Sequence, residues 1–125
     1  MKKIYFTFFT LLITAQFLAQ TTSIPDSNFE LFLVQNNIDS DGTVNGEVLT
    51  SDISGVEVLD VSLRDLSDLT GIQDFTSLKN LNAWGNNLTS VDVSKNTALE
   101  HISLYDNQLT SIDITKNTKL KTFGI

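Results

Sequence analysis

The densest group of oxygen-bearing side chains lies in residues 37–47, NIDSDGTVNGE, where Asn37, Asp39, Asp41, Thr43 and Asn45 occupy alternate positions. Oxygen donors spaced this way can wrap one hard cation such as calcium, and Gly42 permits the sharp turn between them. A solvated turn held by Asp and Asn side chains uses the same residue types, so both readings stay open. A second group comprises Trp84, Tyr105, Asn80, Asn82, His101 and Ser103. Aromatics with polar neighbours suit a protein hot spot or a sugar ring, although the two rings could equally shield each other and the strand beneath. His101 and Ser103, two residues apart, offer a base and a hydroxyl, with Asp60 and Asp106 as the carboxylates that could come near. No local motif supplies the orienting acid and oxyanion hole that such a pair needs. No residue is assigned a catalytic role, and an enzyme is not expected.

The elements that must position these residues announce themselves by repetition. Leu78, Leu99 and Leu120 are spaced 21 residues apart, as are Leu81, Ile102 and Phe123. Asn86 and Asn107 keep that interval, and so do Leu88 and Leu109, Val91 and Ile112, and Asn96 and Asn117. A looser copy stands 22 residues earlier at Val56, Leu59, Val61 and Leu66. Self-similarity at a short fixed period is the signature of a solenoid, each unit burying its apolar face on the next. Alternation around Leu81 and Ala83 predicts a short strand with those side chains inward. Outward positions then align in columns: Val58, Asn80, His101 and Thr122; Asp60, Asn82, Ser103 and Gly124; Ser62, Trp84 and Tyr105. The return limbs, SVDVSKNTA and SIDITKNTK, carry β-branched residues without helical period and predict an extended convex side. Their Asp92 and Asp113 read as local turn acceptors or partners of Lys95 and Lys116. The LTGIQDFTSL limb, with apolar steps of three, suits a short 3₁₀ or helical turn.

Before the repeats, Lys2 and Lys3 precede an apolar stretch from Ile4 to Leu18, with Ala19 at a cut. Residues 1–19 therefore read as a secretory signal peptide, too short for a spanning helix. They hold two of the eight basic residues and none of the fifteen acidic ones, leaving a formal charge of −9 on the remainder. Such a chain lacks the basic patch that nucleic acid requires, and no membrane insertion is expected after signal removal. It contains no cysteine, so no disulfide staples the fold. Residues 20–55 read as an N-terminal cap, a short helix plus the acidic loop. Ser27 is the expected N-cap with Glu30 completing a capping box, and Phe29, Phe32 and Leu33 form one apolar face. Residues 56–125 are the repeats. The last breaks off within an expected fourth strand at Phe123–Ile125, which suggests a piece of a longer protein.

The phrase L-x-x-L-x-L/A, with Asn two residues before the next leucine, resembles the leucine-rich repeat. DLTGIQDFTSLKNLN looks like internalin-type repeats. The IPDSNFE opening, the SDISGVEVLDVS junction and the LTSVDVSKNTALEHISLYDNQ units resemble exported leucine-rich repeat proteins of Bacteroidetes. The acidic loop is similar to EF-hand and dockerin loops at positions one, three, five, six, seven and nine, but Val48 stands at twelve, where a carboxylate belongs. The resemblance implies a leucine-rich repeat solenoid with a parallel β-sheet on the concave face, an extended or 3₁₀ convex side and an N-terminal helical cap. In that family the Asn at 86 and 107 turns inward to satisfy backbone groups. Arg64 takes its place in the first unit, so the ladder should be missing or altered there. It further implies a secreted or cell-surface binding module recognising a protein or glycan through its concave face. The alternative is a cap or spacer in a larger adhesin or polysaccharide-degrading enzyme. No cofactor is expected apart from the calcium ion the loop could hold.

Overall fold

The computed structural model describes Lys2 and residues 18–125; most of the expected signal peptide lies outside the described residues. The chain runs β1 (Thr21–Ser23), α1 (Ser27–Gln35), β2 (Glu47–Leu49), α2 (Thr50–Ile53), β3 (Val58–Asp60), a 3₁₀ turn (Ile72–Asp74), β4 (Asn80–Asn82), β5 (His101–Ser103) and β6 (Thr122–Gly124). Among the described residues no helix is long and apolar enough to cross a membrane.

The repeats build a four-stranded parallel sheet in the order β3-β4-β5-β6. Its register sets Leu59 beside Leu81, Ile102 and Phe123, so the 21- and 22-residue intervals become strand-to-strand steps. Leu59, Leu81 and Ile102 are buried, and Val61, Ala83 and Leu104 continue the inward row. The convex limbs behave as their composition predicts. Residues 91–93 and 111–114 form neither helix nor strand, while Ile72–Asp74 closes a 3₁₀ turn. The corner after each strand recurs in backbone conformation, with φ of 54° at Leu63, 68° at Gly85 and 54° at Asp106. Glycine adopts this left-handed region freely and Asp tolerates it, whereas an exposed Leu there is strained.

Residues 20–55 contain more structure than the sequence suggests. β1 pairs antiparallel with β2, matching Thr21 to Leu49 and Ser23 to Glu47, and α2 follows at once. Three-residue strands paired across this separation carry no local periodic signal.

The start of α1 also differs from expectation. Its N-cap is Asp26, not Ser27. Asp26 Oδ1 accepts the Asn28 and Phe29 N–H groups at 2.9 and 3.2 Å. Its Oδ2 accepts the Ser67 and Asp68 N–H groups at 2.8 and 3.1 Å. One carboxylate can serve both the helix and the first repeat, which a serine hydroxyl cannot. Glu30 is drawn inward instead of closing a capping box. It is 1% exposed and accepts the Asn45 and Gly46 N–H groups at 2.7 and 2.9 Å. Phe29 and Phe75 stack with ring centroids 6.0 Å apart, and the Arg64 guanidinium lies 5.1 Å over the Phe32 ring. α1 is thereby fastened to the first repeat by stacking, cation–π attraction and a shared carboxylate.

Candidate functional site

The outward face of the sheet is set by alternation, because every second side chain of a strand leaves the core. The register places Asn80 between Val58 and His101, and Asn82 between Asp60 and Ser103. These side chains, with Thr122, line a shallow groove of about 300 Å³ across β3 to β6. Asn80, Asn82, His101 and Ser103 are thus brought together as their columns predict. Trp84 and Tyr105 do not line the groove. They follow β4 and β5 at its edge, held in register by the Leu63 N–H donating to the Trp84 carbonyl at 3.0 Å and the Gly85 N–H to the Tyr105 carbonyl at 2.9 Å. Trp84 is 36% exposed and Tyr105 56%. The end of the Tyr105 ring lies over Gly124, where a Cβ would collide with it.

Hydrogen bonds fix much of this face. His101 Nδ1 shares a 2.6 Å bond with Thr122 Oγ1 on the neighbouring strand, which engages the imidazole across strands and not with Ser103. Asp60 accepts bonds from the Ser62 hydroxyl and N–H, and from the Asn82 amide at 3.2 Å. The Ser62 hydroxyl is the main cause that holds Asp60 below the ordinary carboxylate range, with burial opposing it. Asp60 is therefore a fixed negative charge in a groove of amide, hydroxyl and imidazole groups. It shares a column with Asn82 and Ser103, and that column was the signal that could have placed it in the site.

Beneath the corners runs the ladder that the resemblance implied. The Asn86 amide donates to the Val61 and Ala83 carbonyls at 3.0 and 2.9 Å, and its oxygen accepts the Arg64 and Leu66 N–H groups. Asn107 repeats this one step on, donating to Ala83 and Leu104 and accepting from Leu88. A second ladder, unforeseen, supports the convex side. Asn96 donates to the Ile72 and Phe75 carbonyls, and Asn117 to those of Val93 and Asn96. Asp92 and Asp113 form local turns there, accepting the N–H of Ser94 and of Thr115. The Asp113 carboxyl is held low mainly by the Thr115 hydroxyl.

The acidic loop brings only part of its expected donor set together. Asp41 accepts the Thr43 N–H and hydroxyl at 2.7 and 2.8 Å and the Asn45 amide at 2.7 Å. Asp39 is 3% exposed, and burial pushes its carboxyl above the ordinary range. Asn37 is exposed in the left-handed region, with φ of 55°, in the turn after α1.

Comparisons with known proteins give the class of this fold. No family model matches the chain, and no curated protein matches it. Among solved structures it is similar to the functional domain of InlJ from Listeria monocytogenes, which includes a cysteine ladder. The identity is 29% and the TM-score 0.69, over 84% of this chain and 24% of that one. It is similar to a structure of the CBM51-2 and INT domains of Clostridium perfringens ZmpB, in complex with GlcNAc. There the identity is 27% and the TM-score 0.54, over 67% of this chain and 17% of that one. An internalin C2 from Listeria monocytogenes shares the fold, with 18% identity and a TM-score of 0.60 over 86% of this chain and 53% of that one. The fold is internalin-like and of the leucine-rich repeat kind, with a parallel sheet, and the chain spans about a quarter of the InlJ chain it matches.

Proposed function

We propose that this chain is an exported bacterial leucine-rich repeat binding module, a short solenoid capped by α1, that recognises a protein or glycan through its concave face. The observation that carries this reading is the register of the parallel sheet. It gathers Asn80, Asn82, His101 and Ser103 in one groove and leaves Trp84 and Tyr105 as exposed rings along its edge. Such a face offers amide, hydroxyl and imidazole groups to a polar ligand, with two flat apolar surfaces beside them. The likeness to a functional internalin domain, and to a structure holding a carbohydrate-binding module with GlcNAc, agrees with either ligand class. The reading is of a binding module and not an enzyme, consistent with the engagement of His101 by Thr122. Residues 1–19 act in it as the export signal, as in the Bacteroidetes proteins the sequence resembles.

Glycan and protein arrays probed with the chain, followed by calorimetry on any hit, test the proposal. Trp84→Ala and Tyr105→Ala, and Asn80→Ala within the groove, should each weaken binding at least tenfold with little change in melting temperature. If every variant binds as the parent does, the face is not the ligand surface. A spacer role in a larger surface protein then accounts better for the chain.

A further inference from the structure

Asp39 is buried at 3% exposure, but only one of its carboxylate oxygens is engaged. Oδ1 accepts the Asp41 N–H at 3.2 Å, whereas Oδ2 is buried without a hydrogen-bond partner. The other buried side-chain atoms in that condition among the described residues are the amide oxygens of Asn96 and Asn117, which carry no net charge. The charged groups that act on Asp39 are Asp41, Glu30 and Asp52, all acidic. Asp52 arrives from α2 and accepts the Ser40 N–H at 3.0 Å. A buried carboxylate among like charges is costly unless a cation meets it.

Nearby atoms decide which groups are free to do so. Glu30 is occupied, since its oxygens receive the Asn45 and Gly46 N–H groups and pin the loop against α1. Asp41 is exposed and accepts from the Thr43 hydroxyl and the Asn45 amide nitrogen, so that its carboxylate and the Thr43 hydroxyl stand together next to Asp39, while the Asn45 oxygen accepts the Glu47 N–H at 3.0 Å. Among the described residues no three His, Cys, Asp or Glu side chains are placed to hold a metal by themselves. A cation here must take much of its coordination from neutral oxygens and water. Calcium accepts that mixture in a flexible geometry of six to eight ligands, whereas magnesium demands a tighter octahedron.

We propose that the segment from Asp39 to Thr43 is a calcium site, in which Asp39 and Asp41 supply the charge and Thr43 and water supply neutral oxygens. Asn37 and Asn45, which the alternate spacing includes, are outside this set, Asn45 because its amide nitrogen faces Asp41 and its oxygen accepts the Glu47 N–H. With two carboxylates in its first shell the site belongs to the weak class of extracellular calcium modules, with Kd on the order of 10⁻⁴ to 10⁻³ M. Its occupation would lock the segment between α1 and β2 and so stiffen the part of the chain that packs on the first repeat.

The test is calorimetry and thermal melting of the full chain with calcium chloride or magnesium chloride at matched ionic strength. Calcium at 10 mM should raise Tm by about 5 °C or more, and magnesium should do markedly less. Asp39→Asn should abolish both the binding heat and the shift, and should raise the calcium-free Tm by removing an uncompensated buried charge. Should Asp39→Asn fail to fold, Asp41→Asn decides, because that carboxylate is exposed. It should keep the parental circular dichroism and lose at least tenfold in calcium affinity. Absence of heat and of any Tm rise in the parent overturns the proposal, as does calcium binding unchanged in the variant that folds. An equal response to magnesium overturns the choice of metal. None of these readouts depends on the concave face or its ligand.

Discussion

Asn117 donates its side-chain amide to the backbone carbonyl of Asn96, 2.9 Å away and one repeat below. Asn96 does the same to Phe75, at 3.1 Å. Phe75, Asn96 and Asn117 thus form one column at 21-residue steps, and the column starts on an aromatic. The concave column does likewise, with Arg64 below Asn86 and Asn107. Both exceptions face α1: Phe75 stacks on Phe29, and Arg64 lies over Phe32. An asparagine is useful only where a preceding repeat offers carbonyls to its amide. At the first repeat the neighbour is an amphipathic helix, and an aromatic or a cation suits its rings better.

The convex ladder should carry measurable stability. Asn96 is fully buried, and its removal leaves the Ile72 and Phe75 carbonyls without that donor. Asn96→Ala should cost about 1–3 kcal/mol in urea denaturation, since two hydrogen bonds worth about 0.5–1.5 kcal/mol each are lost, while both carbonyls keep the backbone N–H of Phe75 or Leu78. Asn96→Asp should be worse, because it sets an acceptor and a charge against two carbonyls. A cost below about 0.5 kcal/mol for the alanine variant would mean the ladder is incidental.

Asp26 should matter more than its neighbour Ser27. It caps α1 and holds Ser67 and Asp68, while Ser27 is exposed. Asp26→Ala should destabilise by about 2–3 kcal/mol, above the usual cap loss of about 1 kcal/mol because it also frees two N–H groups of the first repeat. Ser27→Ala should fall within about 0.5 kcal/mol of the parent. Similar losses for the two would restore serine as the cap.

Gly71 is a point of close approach. Its φ is 103°, and a Cβ there would meet the Ile24 side chain and lie 2.7 Å from the Ser23 carbonyl. Strain and overlap act together, so Gly71→Ala should cost about 2–4 kcal/mol. Thermal melts of this variant beside Gly55→Ala, where nothing lies within 4 Å of the added carbon, isolate the effect. Equal Tm values for the two variants would disprove the contact.

Acid should unfold the repeats sooner than their apolar layers would suggest. Asp60, Asp92, Asp113 and Glu100 are all held below their ordinary values, the first three mainly by Ser62, Ser94 and Thr115 hydroxyls and the last by Lys121. A depressed folded-state pKa contributes stability that is present above the unfolded value and is lost as pH falls through the folded one. Tm should therefore hold steady near neutrality and drop below about pH 4. Asp92→Asn with Asp113→Asn should flatten that drop, and an unchanged pH profile in the double variant would assign it elsewhere.

Much was legible in the sequence because translation along the stack repeats the same physical problem every 21 residues. Strand positions, inward leucines and the concave columns follow from that period, the 3₁₀ limb follows from its apolar steps of three, and the inward asparagines were implied by the resemblance to the leucine-rich repeat. Spacing along the chain also gave the wrong partner for some side chains. Ser27 and Glu30 have the spacing of a capping box, yet Asp26 reaches both the helix and Ser67, and Glu30 is buried against the acidic loop. Trp84 and Tyr105 share a column with Ser62 but flank the groove, because the left-handed corner turns the chain away at the end of each strand. The β1–β2 pair, the second asparagine ladder, the bond from His101 to Thr122 and the orphaned oxygen of Asp39 depend on contacts between segments far apart in the chain. Repetition in one dimension could specify which residues stack. Only the packed structure could decide what lies against the first of them, because there the repeat ends and α1 provides the surface.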